Sequence, residues 1–149
     1  MALVQAMGEL QGGPARVKVP EALSYVAEPA AVMAGRDAVV PVHLRVREGL
    51  HVNSHKPKSD LLIATVATLA GEDGVRVGAV EYPAGVSYSF AGDPADVLDV
   101  YTGEVVLRVP VMAAKGEHVL RGSVRYQACN DRSCFPPKTL VVEVPFTAR

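Results

Sequence analysis

The sequence has no tryptophan, three phenylalanines and two cysteines, and each shortage removes a class of protein. Antibody-type domains stack a buried tryptophan on a cystine that joins their two sheets across a long stretch of chain. With its cysteines at 129 and 134 and no tryptophan, this chain can be immunoglobulin-like in architecture only. It also lacks a long apolar run: the longest, Leu61 to Ala70, is interrupted by Thr65 and Thr68 and has about half the length that crosses a bilayer. No direct membrane insertion of this segment is expected. Charge of one sign is missing too. A net charge of −1 and a pI near 6.4 give no electrostatic reason to bind nucleic acid or an anionic membrane. Met1 to Pro14 has neither the basic leader nor the continuous apolar core of an intact signal peptide. No segment carries a helical period, and no repeat or low-complexity tract is present.

What is present is alternation. From Ala38 to Val46, Val40, Val42, Leu44 and Val46 share one face while Pro41, His43 and Arg45 take the other, the period of a half-buried strand. The same period sets Val105, Leu107, Val109 and Val111 inward, then Leu120, Gly122, Val124 and Tyr126, with a hairpin turn expected over 113–117. A last strand puts Leu140, Val142, Val144 and Phe146 on one side. Weaker strand candidates lie at 16–19, 24–27, 62–69, 75–82 and 86–90, and 11 prolines with 13 glycines punctuate the chain as short strands require. The fold class is all-β, an antiparallel sandwich of immunoglobulin type. The division is a loosely held segment over 1–15 followed by one domain over 16–149. A domain of this length buries roughly two thirds of the surface its unfolded chain exposes, so it needs no disulfide framework.

The informative segment is Tyr126-Gln-Ala-Cys129-Asn-Asp-Arg-Ser-Cys134-Phe-Pro-Pro, between two good strands. Asn130, Asp131 and Ser133 favour turns, and Pro136 and Pro137 stiffen the chain beyond the second cysteine. A bridge forms if the loop brings the two α-carbons within about 7 Å. Closing so short a loop removes little unfolded-state entropy, on the order of 2 kcal/mol, which makes a purely structural clip of small value here. Short exposed bridges suit exchange chemistry instead. The residues alone admit both readings. A third is a copper or zinc site formed with His51 and His55, but no helix sets those two on one face, and scattered histidines are usually solvated surface or satisfied hydrogen bonds. Arg132 would favour a neighbouring thiolate and Asp131 would oppose it.

The cysteine loop with its paired prolines resembles the N-terminal periplasmic domain of the thiol:disulfide interchange protein DsbD. Leu50-His51-Val52-Asn53, the stretch from Val75 to Pro83, and Val100-Tyr101-Thr-Gly-Glu-Val extend the likeness from about Arg16 to Phe146. The family's best-known members have one more residue between the cysteines than the four found here. The resemblance implies a β-sandwich that relays electrons from a membrane-embedded reductase domain, of the same or another chain, to oxidised thioredoxin-like periplasmic proteins. It implies a protein-disulfide reductase in the periplasm, and with no fixed His/Cys spacing that builds a closed site, neither metal nor other cofactor is expected. The absent signal and membrane segments fit an excised or mature domain. Cys134 would be the sulfur that joins the partner and Cys129 the shielded one that resolves. Phe90, with Tyr88 second, would cap the pair from the segment Val86 to Gly92, although the extra residues 93–99 blur that correspondence. Tyr126 and Phe135 flank the cysteines as supporting residues, with core packing expected for Tyr126. The alternatives are a non-catalytic immunoglobulin-like module with a structural bridge, and a copper-handling domain.

Overall fold

Two long antiparallel strand pairs, Ala38–Val46 with Glu104–Ala113 and Gly116–Tyr126 with Lys138–Ala148, fix the architecture. In the computed structural model, which describes residues 21–59, 61–89 and 97–149, the strands are β1 (Leu23–Val26), β2 (Ala30–Val32), β3 (Ala38–Val46), β4 (His51–Asn53), β5 (Val66–Ala70), β6 (Val75–Val77), β7 (Val86–Ser89), β8 (Val97–Tyr101), β9 (Glu104–Ala113), β10 (Gly116–Tyr126), β11 (Ala128–Cys129) and β12 (Lys138–Ala148). The first sheet runs β1-β3-β9-β6 and the second β2-β12-β10-β5. All pairings are antiparallel except β12 with β2. Among the described residues there is no helix, hence none long and apolar enough to cross a membrane.

The inward faces are those that alternation marks. Val105 stands opposite Leu44, Leu107 opposite Val42 and Val109 opposite Val40, while Leu120 pairs with Val144 and Val124 with Leu140. These side chains from both sheets merge into one core cluster with Tyr126, Val142 and Phe146. Burial on one face only is what holds each register, since a one-residue slip would turn every Val and Leu to water. Gly122 has a different reason for facing inward. A β-carbon there would run into the carbonyl oxygen of Thr68, so its absence lets β5 close against β10.

A third sheet, β11-β4-β8-β7, grows from one end of the sandwich. β8 turns directly into β9 through Thr102 and Gly103, the latter at φ 62, a left-handed conformation that glycine adopts without penalty. A single residue, Gln127, separates β11 from β10. The third sheet is thus anchored to both core sheets and carries the cysteine loop.

Several expectations change, the hairpin over 113–117 first: the chain does turn there, but β9 stays in the first sheet and β10 enters the second, so the turn crosses between sheets and the two strands do not pair. The stretch 62–69 is a strand only from Val66, and 75–82 breaks after Val77, with an isolated bridge from Glu81 to Arg108. The residues before Val66 are held instead by hydrogen bonds from Ile63 to Gln127 and from Thr65 to Ser54. The strands β2, β4 and β11, of two or three residues, are too short for a period to register, and β8 interrupts its apolar run with Asp99. The candidate strand at 16–19, the loosely held segment 1–15 and Phe90 lie outside the described residues.

Candidate functional site

The cysteine loop is a four-residue turn closed by its own side chains. Asn130 Oδ1 accepts hydrogen bonds from the backbone N–H groups of Arg132 and Ser133 at 2.8 and 2.7 Å, and the Asn130 N–H donates to the Ser133 carbonyl at 2.9 Å. This is the turn-forming habit of Asn. Returning, the Phe135 N–H donates to the Ala128 carbonyl at 2.8 Å, which lays Cys134 antiparallel beside Cys129. Their α-carbons are 3.9 Å apart and the sulfurs are bonded.

The two sulfurs are not equivalent. Cys129 is fully buried, whereas Cys134 lies in an exposed run from Asp131 to Thr139. Phe135 is exposed at 41 %, its backbone tied down and its ring free to meet another surface. Tyr126 is buried at 2 % within the core cluster, and burial pushes its phenol above the ordinary value. It is a core residue, as expected from its place in the alternation. Asp131 and Arg132 are exposed turn residues.

β4 runs between β11 and β8, and its register sets His51 directly opposite Cys129. Directly paired residues share a sheet face, so His51 stands on the face that carries Cys129. The ring of Tyr88 on β7 packs on the His51 ring at 4.1 Å between centroids. Leu98, Val100 and Cys129 are buried but stand outside the main core cluster. The third sheet therefore has its own apolar lining, on the side that holds the bridge. Two buried polar atoms among the described residues have no hydrogen-bond partner, His51 Nε2 and Asn53 Oδ1. They alternate on the same strand, on that same face.

Around Asn53 the remaining bonds are made. Its Nδ2 donates to the Ile63 carbonyl and to Gln127 Oε1, both at 3.0 Å, and Gln127 Nε2 reaches the Phe135 carbonyl at 3.4 Å. Gln127 so links the exit of the cysteine loop to the strand beneath it. Thr65 Oγ1 donates to the Asn53 carbonyl at 2.6 Å, and the Tyr101 hydroxyl donates to the Pro83 carbonyl at 2.8 Å.

His51 and His55 do not converge. His55 stacks on Tyr82 with ring centroids 3.5 Å apart and its Nδ1 lies 2.9 Å from the Thr65 carbonyl. Among the described residues no three His, Cys, Asp or Glu side chains gather into a metal-binding group. His51 is neither solvated surface nor a fully hydrogen-bonded histidine: at 2 % exposure it is one of the most buried side chains, and its Nε2 has no partner. No local signal marks this: all three residues His51, Val52 and Asn53 are buried, and three residues are too few to carry a period.

Burial holds the His51 imidazole below its ordinary pKa of 6.5. The unfolded chain therefore binds this proton more readily than the fold does. The resulting stability is fully present above about pH 6.5 and is lost as pH falls through the lower folded value. In the oxidised domain, the melting temperature should drop more steeply from about pH 7.5 to pH 5 in the wild type than in His51→Phe, the stability difference growing by up to about 1.4 kcal/mol per pH unit. Parallel pH dependence in the two proteins would show that His51 titrates normally.

Fold and loop together define an immunoglobulin-like sandwich bearing one short cystine at its end, half buried and half open to solvent. Residues 22–145 match the family described as thiol:disulfide interchange protein DsbD, N-terminal, and the chain belongs to that family. The DsbD N-terminal domain of Neisseria meningitidis, solved in its reduced form, is 19 % identical, with a TM-score of 0.48 over 78 % of this chain and 83 % of that one. The N-terminal periplasmic domain of ScsB from Proteus mirabilis is 14 % identical, with a TM-score of 0.54 over 84 % of this chain, and shares the fold. This chain spans about half of that ScsB domain, 51 %. No curated protein matches the sequence.

Proposed function

We propose that this domain relays electrons in the periplasm, from a membrane-embedded reductase to oxidised thioredoxin-like proteins, by cycling the Cys129–Cys134 bridge. The observation that carries the reading is the asymmetry of the bridge, with Cys129 fully buried and Cys134 in an exposed turn. Family membership supports the exchange chemistry. A reductase thiolate attacks the Cys134 sulfur, the Cys129 sulfur leaves, and a second thiol of the reductase frees the domain as a dithiol. The Cys134 thiolate then attacks a partner disulfide, forming a mixed disulfide that Cys129 resolves. Each exchange makes one S–S bond and breaks one. Tyr88 packs on His51, the cross-strand partner of Cys129, and so covers the ring beside the pair, while the exposed Phe135 offers an apolar contact to the arriving partner.

Titration against a dithiol buffer tests this. The reduction potential should lie above about −300 mV, among the exchangeable couples. A value well below that, in a domain that forms no mixed disulfide, would make the bridge a structural clip in an interaction module.

A further inference from the structure

His51 carries a cost that packing alone does not explain. A buried polar atom without a partner destabilises a fold by about 1–3 kcal/mol, and an apolar residue of the same shape would remove that cost. His51 Nε2 is such an atom, on a side chain 2 % exposed. Its position in the register is the second observation. It is the direct cross-strand partner of Cys129, and paired residues have β-carbons about 4.5–5.5 Å apart, which places a thiol and an imidazole within reach of each other. Once the bridge opens, the buried Cys129 becomes a thiol with no water to take its proton, and only its thiolate can attack.

We propose that His51 is the acid–base partner of Cys129, taking the thiol proton on Nε2 when Cys129 resolves a mixed disulfide and returning it in the reverse reaction. The inference rests on the exchange reading above. The step begins from Cys134 joined to the sulfur of a thioredoxin-like partner. The Cys129 S–H bond breaks and its proton moves to Nε2. The Cys129 sulfur then bonds to the Cys134 sulfur, and the bond from Cys134 to the partner breaks with its electron pair on the partner's sulfur. That thiolate leaves and is protonated by the imidazolium or by water. The domain is oxidised to its disulfide and the partner is reduced.

The surroundings suit a neutral base. Tyr88 on β7 covers the ring, and the only cause that lowers the imidazole's pKa is burial, so its lone pair is free near neutral pH. Among the described residues, the charged groups on this side are Arg45, Arg47 and Glu48, which line a hollow with His51, Tyr88, Thr102 and Gly103. On β8, Asp99 pairs with Ser87 and so points to the opposite face from Val100 and His51. No carboxylate on β4, β7, β8 or β11 faces the imidazole among the described residues.

The test uses glutathione disulfide as the probe and follows two steps separately, formation of the glutathione adduct at Cys134 and its resolution by Cys129. His51→Phe keeps an aromatic ring against Tyr88, and His51→Gln keeps a polar group that does not titrate. In both variants resolution near pH 7 should slow by about 100-fold while adduct formation changes little. The wild-type resolution rate should fall as pH drops through the histidine's titration, whereas the variants should rise steadily with pH towards the thiol's own pKa. His51→Phe should melt at or above the wild-type temperature, since it removes the orphaned nitrogen. Variants that resolve at the wild-type rate with the wild-type pH profile overturn the proposal and leave the exchange reading standing. A wild type that forms no adduct overturns both. Should the variants misfold, nitrogen-15 spectra of the wild-type imidazole decide it: the His51 titration should differ between the oxidised and reduced domain, and identical titrations overturn the proposal.

Discussion

A Cys129→Ala variant, mixed with a thioredoxin-like domain whose own resolving cysteine has been removed, should accumulate a stable mixed disulfide through Cys134. The variant keeps the sulfur that lies in the exposed run from Asp131 to Thr139 and loses the buried one. Thiol–disulfide exchange needs three sulfurs in line, so access to the attacked or attacking atom sets the rate. Cys134 meets that condition without any movement of the sheet. Cys129 has β4 beside it and no exposed surface, so Cys134→Ala should trap less by about tenfold or more. The prolines beyond Cys134 sharpen the difference. Pro136 and Pro137 have no amide hydrogens to pair with a sheet edge, and they keep the chain after Phe135 out in solvent. Non-reducing gels of both variants with the same partner read the outcome. Equal trapping, or trapping through Cys129 alone, would reverse the two roles, and no trapping by either folded variant would leave a structural clip.

The long strands were legible because each buries one face against a single core. Val40, Val42, Leu44 and Val46 are buried at 2 % or less, and five or more alternating positions in a row leave no competing period. The turn at the cysteines was equally plain, since Asn130 closes it with its own side chain. The pair's place at the end of the sandwich followed from the strands on either side. What escaped was the third sheet. Its strands β4 and β11 have three and two residues, and their backbone partners are distant in sequence, so neither period nor turn chemistry announces them. The buried state of His51 follows from that sheet alone. A histidine's burial is decided by which strand lies opposite, and the pairing of residue 51 with residue 129 is a fact of topology. The likeness of Leu50-His51-Val52-Asn53 to the family drew attention to this strand without giving its pairing.

Removing the bridge should cost this domain less than removing one core leucine. Leu107 is wholly buried on β9 opposite Val42, where the two main sheets meet, and Leu107→Ala should destabilise by about 2–5 kcal/mol through lost transfer energy and the cavity left behind. For a domain of this size that is a fall in melting temperature on the order of 10 °C. The bridge closes a loop of only a few residues, so its loss in Cys129→Ala/Cys134→Ala releases on the order of 2 kcal/mol of unfolded-state entropy. The turn it closes retains the bonds of Asn130 to Arg132 and Ser133, together with the Phe135 bond to Ala128. Both variants should melt cooperatively, with the double cysteine variant the more stable. The order matters for function. A relay opens its bridge once in every cycle, and a fold that depended on the bridge would loosen each time, exposing the apolar side of the third sheet around Leu98 and Val100 to solvent. A double cysteine variant unfolded at room temperature would show that the bridge holds the fold, and a domain so built could not spend half its cycle reduced.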